Sequence, residues 1–457
     1  MKPDLTKPDL ADMAKAGIPM PEVFEDAIVV SRPRARVATD WRASLIREGK
    51  KMKLVTEGAA GVANVSTILR YHPEWSGVVA MDDFSSRVVA TSPPPWDKTE
   101  APSSVVAGPW TDGDTDRLGT WIARNVEGAT KSYDVEVVAS FAPGTLDRAV
   151  RVAAEANRLH PVREYLRGLA WDGTPRVNRL LASYFGADDS DYASAVGRCF
   201  LVGAVARVMT PGAKVDTMPI LEGRQGVGKS TALAILAGEW FSDSKIIIGT
   251  KDGYQALRGI WILELGELEA LNRAEIEGVK AFISSQVDRY RPSFGRNEVE
   301  MPRQCVFAGT TNAEEYLADA TGARRFHPVR TGELDLDALR RDRDQLWAEA
   351  VAMFDAGETW WMSRDVSEAA AEEADARYVR DPWEATVERL LRSPVHQANG
   401  VTNEDCLAAC GLDVALRNKG HSIRMGNILK RMGWHRTRLR RPDGSLHWVY
   451  ITRNASG

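Results

Sequence analysis

The residues with the clearest chemistry form a glycine-rich loop that ends in a lysine and two hydroxyl residues. In order, the loop contains Gly223, Arg224, Gln225, Gly226, Val227, Gly228, Lys229, Ser230 and Thr231. Glycines let the backbone curl so that its N–H groups face bound phosphates, and the following helix adds the positive end of its dipole. In such a loop Lys229 contacts the β- and γ-phosphates and Ser230 binds Mg²⁺. The pattern predicts a binding site for ATP with Mg²⁺.

A glycine turn without a ligand is the alternative for this loop, because the same pattern can arise by chance. Its neighbours argue against that alternative, since apolar residues precede the loop and residues 232–237 continue it with a good helical sequence. The flanking residues therefore predict strand, loop and helix in the order that a phosphate site requires.

Two glutamates follow the next apolar run, which we predict as a buried strand over residues 260–263. Glu264 falls at the carboxyl end of that strand, where ligands bind in parallel sheets, and Glu267 follows in the same loop. ATP hydrolysis needs an acidic residue to hold Mg²⁺ and a group to orient the attacking water. We assign Glu264 to the metal and Glu267 to the water, with an exchange of roles as one alternative and two solvated surface glutamates as another. The usual adjacent acid pair is missing, because Leu265 takes the second place.

A third apolar run and a pair of arginines complete the predicted site. The strand predicted over residues 304–308 leads to Asn312, whose amide can hydrogen-bond the attacking water or the γ-phosphate; a turn residue is the alternative. Arg324 and Arg325 follow shortly after. An ATPase that works between subunits needs a cation for the charge on the neighbouring γ-phosphate, and either arginine suits that role. Ordinary solvated arginines are the alternative.

The elements that must position these residues predict an α/β fold. Short apolar strands alternate with helices from about residue 213 to 365, which is typical of a parallel sheet covered by helices. We predict five segments: a loose tail over 1–21, an accessory α+β domain over 22–145, a helical lead-in over 146–212, the nucleotide-binding domain over 213–365, and a C-terminal domain over 380–457. A last helix of the nucleotide-binding domain, over residues 336–354, carries apolar residues on one face and is expected to pack without chemistry.

Composition restricts the class of protein. The chain has 457 residues, 44% hydrophobic and 27% charged, which suits a folded protein of several domains. No apolar run long enough to span a membrane is apparent, and residues 1–21 do not resemble a signal peptide. The four cysteines (Cys199, Cys305, Cys406 and Cys410) are too scattered for a disulfide framework or a zinc site, so we expect buried thiols and a cytoplasmic location.

The C-terminal domain is strongly basic although the whole chain has a net charge of −4. Residues 414–457 hold ten arginines and lysines but one acid, Asp443. The pattern of helices followed by two strands around a Pro-Asp-Gly turn predicts a winged helix. Its third helix and hairpin carry the predicted DNA contacts Lys430, Arg438, Arg440 and Arg441. A winged helix that docks a protein is the alternative.

These motifs, taken in order, resemble the helicase superfamily 3 ATPases, and most closely the virulence-associated protein E (VirE-like) family of phages and prophages. The matching segments lie at residues 222–231, 259–268, 280–291, 302–312 and 322–326, with HPVREYL at 160–166 and WDGTPR at 171–176 upstream. The resemblance covers about residues 155–365. It implies an AAA+-like core and a ring of subunits, a hexamer by expectation, that translocates on DNA during phage-type replication in a bacterial host. A primase or replication-initiation protein would be the partner.

The resemblance also implies a lysine and a hairpin that face the DNA channel of the ring. Lys280 matches the lysine, and the hairpin candidate carries Arg289, Arg291, Arg296 and Arg303 with Tyr290 and Phe294 between them. Basic residues that alternate with aromatic ones suit a single strand, because cations meet phosphates while rings stack on bases. An ordinary charged hairpin with its aromatic residues in the core is the alternative.

Three functions compete. The first is an ATP-driven ring helicase or replication initiator of phage or mobile-element type. The second is a DNA-binding switch that uses ATP to assemble at an origin without unwinding it. The third, a P-loop kinase or nucleotide-sensing defence protein, is disfavoured because the arginine pair and the basic hairpin would lack a purpose in a kinase.

Overall fold

The computed structural model describes residues 40–48, 53–97, 108–126, 141, 144–266, 273–293, 297–313, 316, 325–377, 381–440 and 446–452. Four predicted site residues, Glu267, Arg296, Arg324 and Arg441, lie outside the described residues, as do the predicted tail and Phe294. Their predicted roles stay predictions.

The N-terminal region combines a small mixed sheet with helices. Its strands are β1 (Arg47–Glu48), β2 (Lys53–Leu54), β3 (Val79–Asp82), β4 (Arg87–Ala90), β5 (Gly108–Pro109) and β6 (Arg158–Leu159). The helices are Gly58–Tyr71, Asp112–Asn125 and Thr145–Glu155, with short 3₁₀ turns at Trp41–Ser44 and Pro95–Asp97. The strands β5-β4-β3-β6 form one sheet and β1-β2 a separate pair. A capping box between Thr111 and Asp114 starts the second helix by satisfying its first free N–H groups.

The helix Thr145–Glu155 packs with this region. Its buried residues Ala149, Val150 and Ala153 join the cluster built around Trp75 and Trp121, and β6, which follows the helix, pairs with β3. The sequence places residues 146–212 together as a lead-in to the next domain. The packing divides that segment, because its first helix covers the N-terminal core.

The central domain is built on five parallel strands. They are β7 (Met218–Glu222), β8 (Phe241–Ser242), β9 (Ile262–Leu265), β12 (Val306–Thr311) and β13 (Phe326–Arg330), in the spatial order β13-β7-β12-β9-β8. The strands β10 (Val287–Tyr290) and β11 (Val299–Pro302) form a separate antiparallel pair. The predicted α/β class with a parallel sheet is confirmed. β7 and β12 are buried at every position, which is what a sheet covered on both faces requires.

Helices cover both faces of this sheet. They are Pro161–Gly168, Leu180–Phe185, Asp191–Met209, Lys229–Ala237, Lys251–Ala256, Arg273–Ile283, Leu336–Asp355 and Arg364–Ala376, with 3₁₀ turns at Val177–Arg179 and Gly238–Trp240. On one face Trp261 and Trp347 pack at 4.1 Å between ring centroids. On the other face Phe282 packs on Phe307 at 5.5 Å. The helix predicted over residues 336–354 is present and packs as expected.

One helix, Asp191–Met209, is long and apolar enough to cross a membrane by length and composition alone, but 78% of its apolar window is buried inside the protein. The buried residues of this helix are distributed over all of its faces, which is typical of a helix in a protein core.

The C-terminal domain contains four helices and a hairpin in its described residues. The helices are Glu384–Leu391, Pro394–Asn399, Asn403–Ala409 and Lys419–Arg431, with a 3₁₀ turn at Val414–Leu416, and the hairpin strands are β14 (Trp434–Arg440) and β15 (Leu446–Thr452). An isolated bridge joins Val401 to Tyr450 on β15. The sequence predicts the third helix over residues 422–432 with Ile423 among its packing residues, whereas the helix runs from Lys419 to Arg431 and Ile423 is exposed.

Candidate active site

The glycine-rich loop lies between β7 and the helix Lys229–Ala237, as the sequence predicts. Gly226 and Gly228 have φ values of 82° and 98°, a region that other residues rarely adopt. The loop also runs against its neighbours. A Cβ atom on Gly223 would lie 2.4 Å from Oγ1 of Thr331, and one on Gly228 would lie 3.1 Å from Leu336. The glycines are therefore required by both conformation and space.

The Lys229 side chain is folded back into the loop and is buried. Its ammonium donates hydrogen bonds to the carbonyl oxygens of Gly223 (2.7 Å) and Arg224 (3.0 Å) and to Oδ1 of Asn312 (3.1 Å). Asn312 follows β12 directly, so the structure brings the end of the third strand to the lysine of the loop. Two residues far apart in the sequence meet as the strand order predicted.

Glu264 lies within hydrogen-bonding distance of the loop helix. The hydroxyl of Ser230 donates to its Oε1 at 2.8 Å, and the hydroxyl of Thr310 donates to the same oxygen at 2.5 Å. The carboxylate is 5% exposed, and its other oxygen, Oε2, is buried without a hydrogen-bond partner among the described residues. An unsatisfied buried carboxylate oxygen is costly and calls for an explanation.

Mg²⁺ fits this arrangement. The ion prefers oxygen ligands, and in nucleotide sites it binds one or two protein oxygens together with phosphates and waters. Ser230 and Glu264 supply a hydroxyl and a carboxylate that are 2.8 Å apart, and the carboxylate has an oxygen to spare. The two residues that the sequence assigned to the metal are thus adjacent, while that assignment remains a proposal.

The strand that carries Glu264 is displaced from the predicted one. The sequence suggested residues 260–263, whereas β9 runs from Ile262 to Leu265, so Glu264 lies inside the strand. Register explains why it still reaches the site: Glu264 pairs with Ala308 of β12, and Thr310 lies two residues further along the same strand. Thr310 was missed in the sequence, because a threonine inside an apolar strand reads as an ordinary β-branched residue.

A buried charged cluster next to the loop was also missed. Glu222, the last residue of β7, is 6% exposed and accepts hydrogen bonds from the hydroxyl of Tyr316 (2.9 Å) and from Nε (2.8 Å) and Nη2 (3.0 Å) of Arg377. Arg377 also binds Glu373. Burial lowers the pKa of Arg377, but the hydrogen bonds and charges of the two glutamates outweigh it and raise that pKa above its ordinary value.

Burial likewise raises the pKa of Tyr316 well above its usual range, with the charge of Glu222 adding to the effect. Tyr316 therefore stays a hydrogen-bond donor. Its backbone N–H also donates to the carbonyl of Arg377 at 3.1 Å. Nothing in the local sequence points to this cluster, since its members come from three distant segments.

Arg325 lies at the amino-terminal ends of the parallel strands, whereas the glycine-rich loop lies at their carboxyl ends. It precedes β13, whose first residue, Phe326, pairs with Met218 at the start of β7. A strand rises about 3.3 Å per residue, so the length of β7, about 13 Å, separates the amino-terminal ends of the strands from the loop. The guanidinium Nε donates to Oγ of Ser284 at 2.8 Å. Arg325 is thus remote from the phosphate site of its own chain.

Lys280 is a correction to the predicted DNA contacts. It lies on the helix Arg273–Ile283, is 4% exposed, and its ammonium lies 3.4 Å from Glu277. The apolar neighbours Ile276, Val279 and Ile283 turn this part of the helix toward the sheet, and the lysine is buried with them. In this chain its ammonium is not on the surface.

The hairpin candidate exists, as the antiparallel pair of β10 and β11. Arg289 and Arg291 are exposed, and Arg289 pairs with Glu300 across the strands at 3.0 Å. Tyr290, expected to stack on a base, is 5% exposed and packs 6.1 Å from Tyr254. Tyr290 therefore fits the alternative, in which the aromatic residues of the hairpin belong to the protein core.

Arg303, counted with the same hairpin, is buried as well. Its exposed fraction is 2%, and it forms a buried ion pair with Asp288 on the neighbouring strand. Its guanidinium also lies 4.5 Å from the ring centroid of Phe282. This arginine joins the hairpin to the sheet and does not face solvent.

The predicted contacts of the C-terminal domain are on the surface where the structure describes them. Lys430 and Arg438 are exposed, and Arg440 lies at the end of β14, opposite Leu446. Arg424, by contrast, is tied to Asp381 by two hydrogen bonds of 2.7 Å and lies over Trp383.

The cysteines behave as the sequence indicates. Cys199, Cys305 and Cys406 are buried and Cys410 is half-buried, all as free thiols. Burial raises the pKa of Cys199 to about 11 and that of Cys406 to about 12, so these thiols are unreactive near neutral pH.

Comparison with known proteins identifies the central region. Residues 166–379 match the virulence-associated protein E-like domain. A search of curated proteins finds no match. Among solved structures, the chain is similar to an apo structure of the NrS-1 C-terminal region (305–718), with 13% identity, a TM-score of 0.42, and coverage of 82% of this chain and 95% of that one.

A second apo structure of the NrS-1 C-terminal region, its A form, gives 12% identity and a TM-score of 0.43, over 81% of this chain and 95% of that chain. A point mutant of RuvB from Thermotoga maritima gives 13% identity and a TM-score of 0.21, over 57% of this chain and 92% of that chain. TM-scores this low carry no weight for function.

The fold and the site define an α/β protein with a glycine-rich loop at the carboxyl edge of a parallel sheet. The match of residues 166–379 to the virulence-associated protein E-like domain confirms the resemblance to that family found in the sequence.

Proposed function

We propose that this protein is an ATP-dependent motor that acts on DNA, a helicase or replication initiator of phage or mobile-element type working in the bacterial cytoplasm. One observation carries the proposal. Two adjacent residues of the loop each form a hydrogen bond with a residue from another strand: Lys229 with Asn312, and Ser230 with Glu264. Each of these four residues was predicted from its own segment of the sequence. A glycine turn without a ligand would not need a buried lysine and a buried carboxylate beside it.

The residues of the site divide the work of hydrolysis. The loop N–H groups and the start of the helix Lys229–Ala237 would bind the phosphates. Ser230 and Glu264 would hold Mg²⁺, which supplies charge for the phosphate oxygens when it is bound. The ammonium of Lys229 would leave the carbonyls of Gly223 and Arg224 to reach the β- and γ-phosphates. Asn312 would then be released to orient the attacking water, with Glu267 as the expected partner.

The position of Arg325 supports hydrolysis at sites shared between subunits. A cation near the transferred phosphate speeds hydrolysis, but this arginine lies at the far edge of its own sheet. The proposal therefore assigns it to the site of a neighbouring chain. This placement supports an AAA+-like ring, a hexamer by expectation, in which Arg324 or Arg325 completes the adjacent site.

DNA binding is the second half of the proposal. The order of helices, bridge and hairpin in the C-terminal domain supports a winged helix, and the exposed Lys430 and Arg438 suit contact with phosphates. Arg289 and Arg291 on the β10–β11 hairpin would contribute within the ring. These residues neutralise phosphate charge and carry no base specificity.

A DNA-binding switch without unwinding is the second candidate. The burial of Lys280 and Tyr290 favours it, because two expected channel contacts do not face solvent. DNA binding would then rest on the C-terminal domain, with ATP controlling assembly. A primase or initiation partner is equally compatible with either candidate.

The test uses the purified full chain with ATP, Mg²⁺ and forked DNA. The motor predicts DNA-stimulated ATP hydrolysis, strand separation and a hexameric particle mass with an ATP analogue. Stimulated hydrolysis without strand separation would support the switch. Full ATPase activity in Lys229→Ala would contradict both. The matched control is Lys214→Ala, at an exposed lysine that precedes β7 and so lies at the opposite edge of the sheet from the loop.

A further inference from the structure

The C-terminal hairpin carries an exposed tryptophan between two arginines. Trp448 on β15 is 47% exposed. The guanidinium carbons of Arg436 and Arg438 each lie 4.5 Å from the centroid of its ring. A tryptophan is the largest apolar side chain, and one that stays half in water next to two cations is not explained by packing.

The strand register places these three side chains together. Arg438 is directly opposite Trp448, and Arg436 is opposite Tyr450, two residues further along β15. Residues that alternate along paired strands share a face, so the two arginines and the tryptophan form one surface. We call this surface the hairpin platform.

The base of the hairpin is fixed to the rest of the domain. Tyr450 is buried, and Val401 is bridged to it by two backbone hydrogen bonds. The hydroxyl of Tyr450 packs closely on the helix Lys419–Arg431: a Cβ atom on Gly426 would lie 2.7 Å from that hydroxyl. The platform therefore projects from a rigid support.

A second arginine–tryptophan pair in the same domain differs from the platform, because an acidic residue neutralises its arginine. The guanidinium of Arg424 lies 4.0 Å from the ring centroid of Trp383, and Asp381 neutralises it with two hydrogen bonds. On the hairpin platform neither arginine has a carboxylate partner among the described residues. β14 and β15 contain no aspartate or glutamate at all. Within the part of the hairpin that the structure describes, the platform is therefore a cationic surface with an aromatic centre and no acidic partner.

We propose that the hairpin platform binds an unpaired nucleic-acid strand, with the ring of Trp448 stacked on a base and Arg436 and Arg438 on the adjacent phosphates. The inference rests on the proposed DNA-binding function and adds the form of the strand. Duplex DNA keeps the faces of its bases stacked on each other, so the ring has nothing to stack on there. In a single strand each base has a free face, and guanidinium groups can move from the ring to the backbone.

Binding of a single strand also explains why residue 448 is a tryptophan. Phosphate contacts need only cations, which the same hairpin supplies in Arg436 and Arg438. A tryptophan adds binding only if an aromatic surface meets it. A motor or switch at an opened origin encounters such a strand, so the hairpin would hold the strand that strand separation releases.

The experiment measures binding of the full chain to three fluorescent probes of equal length by anisotropy: oligo-dT, the same backbone without bases, and blunt duplex. Trp448→Leu is expected to weaken oligo-dT binding about tenfold, since stacking contributes on that scale. Binding to the baseless strand should not change, nor should the salt dependence. Trp448→Phe should retain most of the oligo-dT affinity, because it keeps an aromatic ring. Trp361→Leu, at another exposed tryptophan (57%), is the matched control.

The arginines give the complementary result. Arg436→Ala with Arg438→Ala should weaken binding to the single strand with and without bases and reduce its salt slope by about 0.7 per lost phosphate contact. Wild-type affinity of Trp448→Leu for oligo-dT would overturn the inference, and so would an equal loss on the baseless strand. If the wild type bound none of the probes, the proposed DNA function itself would fail.

Discussion

The guanidinium of Arg377 holds the carboxylate of Glu222 through two parallel hydrogen bonds, from Nε to Oε1 at 2.8 Å and from Nη2 to Oε2 at 3.0 Å. Both side chains are more than nine-tenths buried. The pair joins the end of the helix Arg364–Ala376 to the residue directly before the glycine-rich loop. A planar guanidinium suits such two-point contact better than any other cation.

We expect Arg377→Met to lower the free energy of unfolding by about 3–5 kcal/mol, because Glu222 would remain charged and buried without its buried cationic partner. The double variant Glu222→Met with Arg377→Met should recover most of that loss, since two apolar side chains can replace a buried ion pair. Urea unfolding of both variants tests this. A double variant as unstable as the single one would contradict the ion-pair explanation.

Thr310→Val should slow ATP hydrolysis about tenfold while leaving the affinity for ATP nearly unchanged. The variant keeps the shape of the side chain but removes the hydroxyl that fixes Glu264, and misplacing a positioned group costs rate more than binding. Steady-state kcat and KM with ATP separate the two effects. Thr120→Val, on the N-terminal helix Asp112–Asn125, is the control, because among the described residues its hydroxyl donates only to the carbonyl of Asp116 within that helix. A rise in KM at constant kcat would indicate a binding role instead.

Arg325→Ala should abolish most ATP hydrolysis without loss of nucleotide binding, if this arginine serves a neighbouring chain. Loss of an arginine of this kind lowers kcat by about 10³ or more. Mixing is the decisive measurement: Arg325→Ala chains combined with Lys229→Ala chains should regain activity, because some interfaces then contain an intact loop and an intact arginine. Mixtures that stay inactive at every ratio would count against work between chains, and Arg341→Ala controls for lost surface charge.

The unfolding free energy should fall as the pH drops below about 6.5, the ordinary pKa of a histidine. Burial lowers the pKa of His160, although its hydrogen bond to Gln304 at 2.7 Å partly offsets that effect. Below the ordinary histidine pKa the unfolded chain binds the proton first, so the folded state loses stability until the pH passes the lowered pKa. His160→Asn keeps a helix-capping side chain and should show a smaller loss between about pH 7 and pH 5. An equal loss in both proteins would place the effect elsewhere.

Much of the site could be predicted from the sequence because it is built from strand ends. The glycine-rich loop, Glu264 and Asn312 each follow an apolar run, and parallel strands bring their carboxyl ends to one edge. The α/β class followed from the same alternation. Local pattern and tertiary arrangement agree there, so reasoning from spacing succeeded.

Burial was where sequence reasoning went wrong. Lys280 and Tyr290 have the composition of a DNA-binding surface, yet both face inward, because the direction of a side chain depends on which face of its helix or strand the sheet covers. Glu222, Tyr316 and Arg377 were missed for the related reason that their chemistry exists only after three distant segments have met. Trp448 was passed over because its cationic neighbours lie on the other strand.

The burial of the natural thiols has a practical consequence. Three of the four cysteines are enclosed in the core, and only Cys410 is partly accessible, with a pKa that burial raises. Cys410→Ser would therefore give a chain in which maleimide reagents find almost no target. A single cysteine introduced at an exposed position, such as Val395, could then carry one dye. Energy transfer between dyes on different chains would then test the proposed ring assembly and follow the proposed turnover of nucleotide, one molecule at a time.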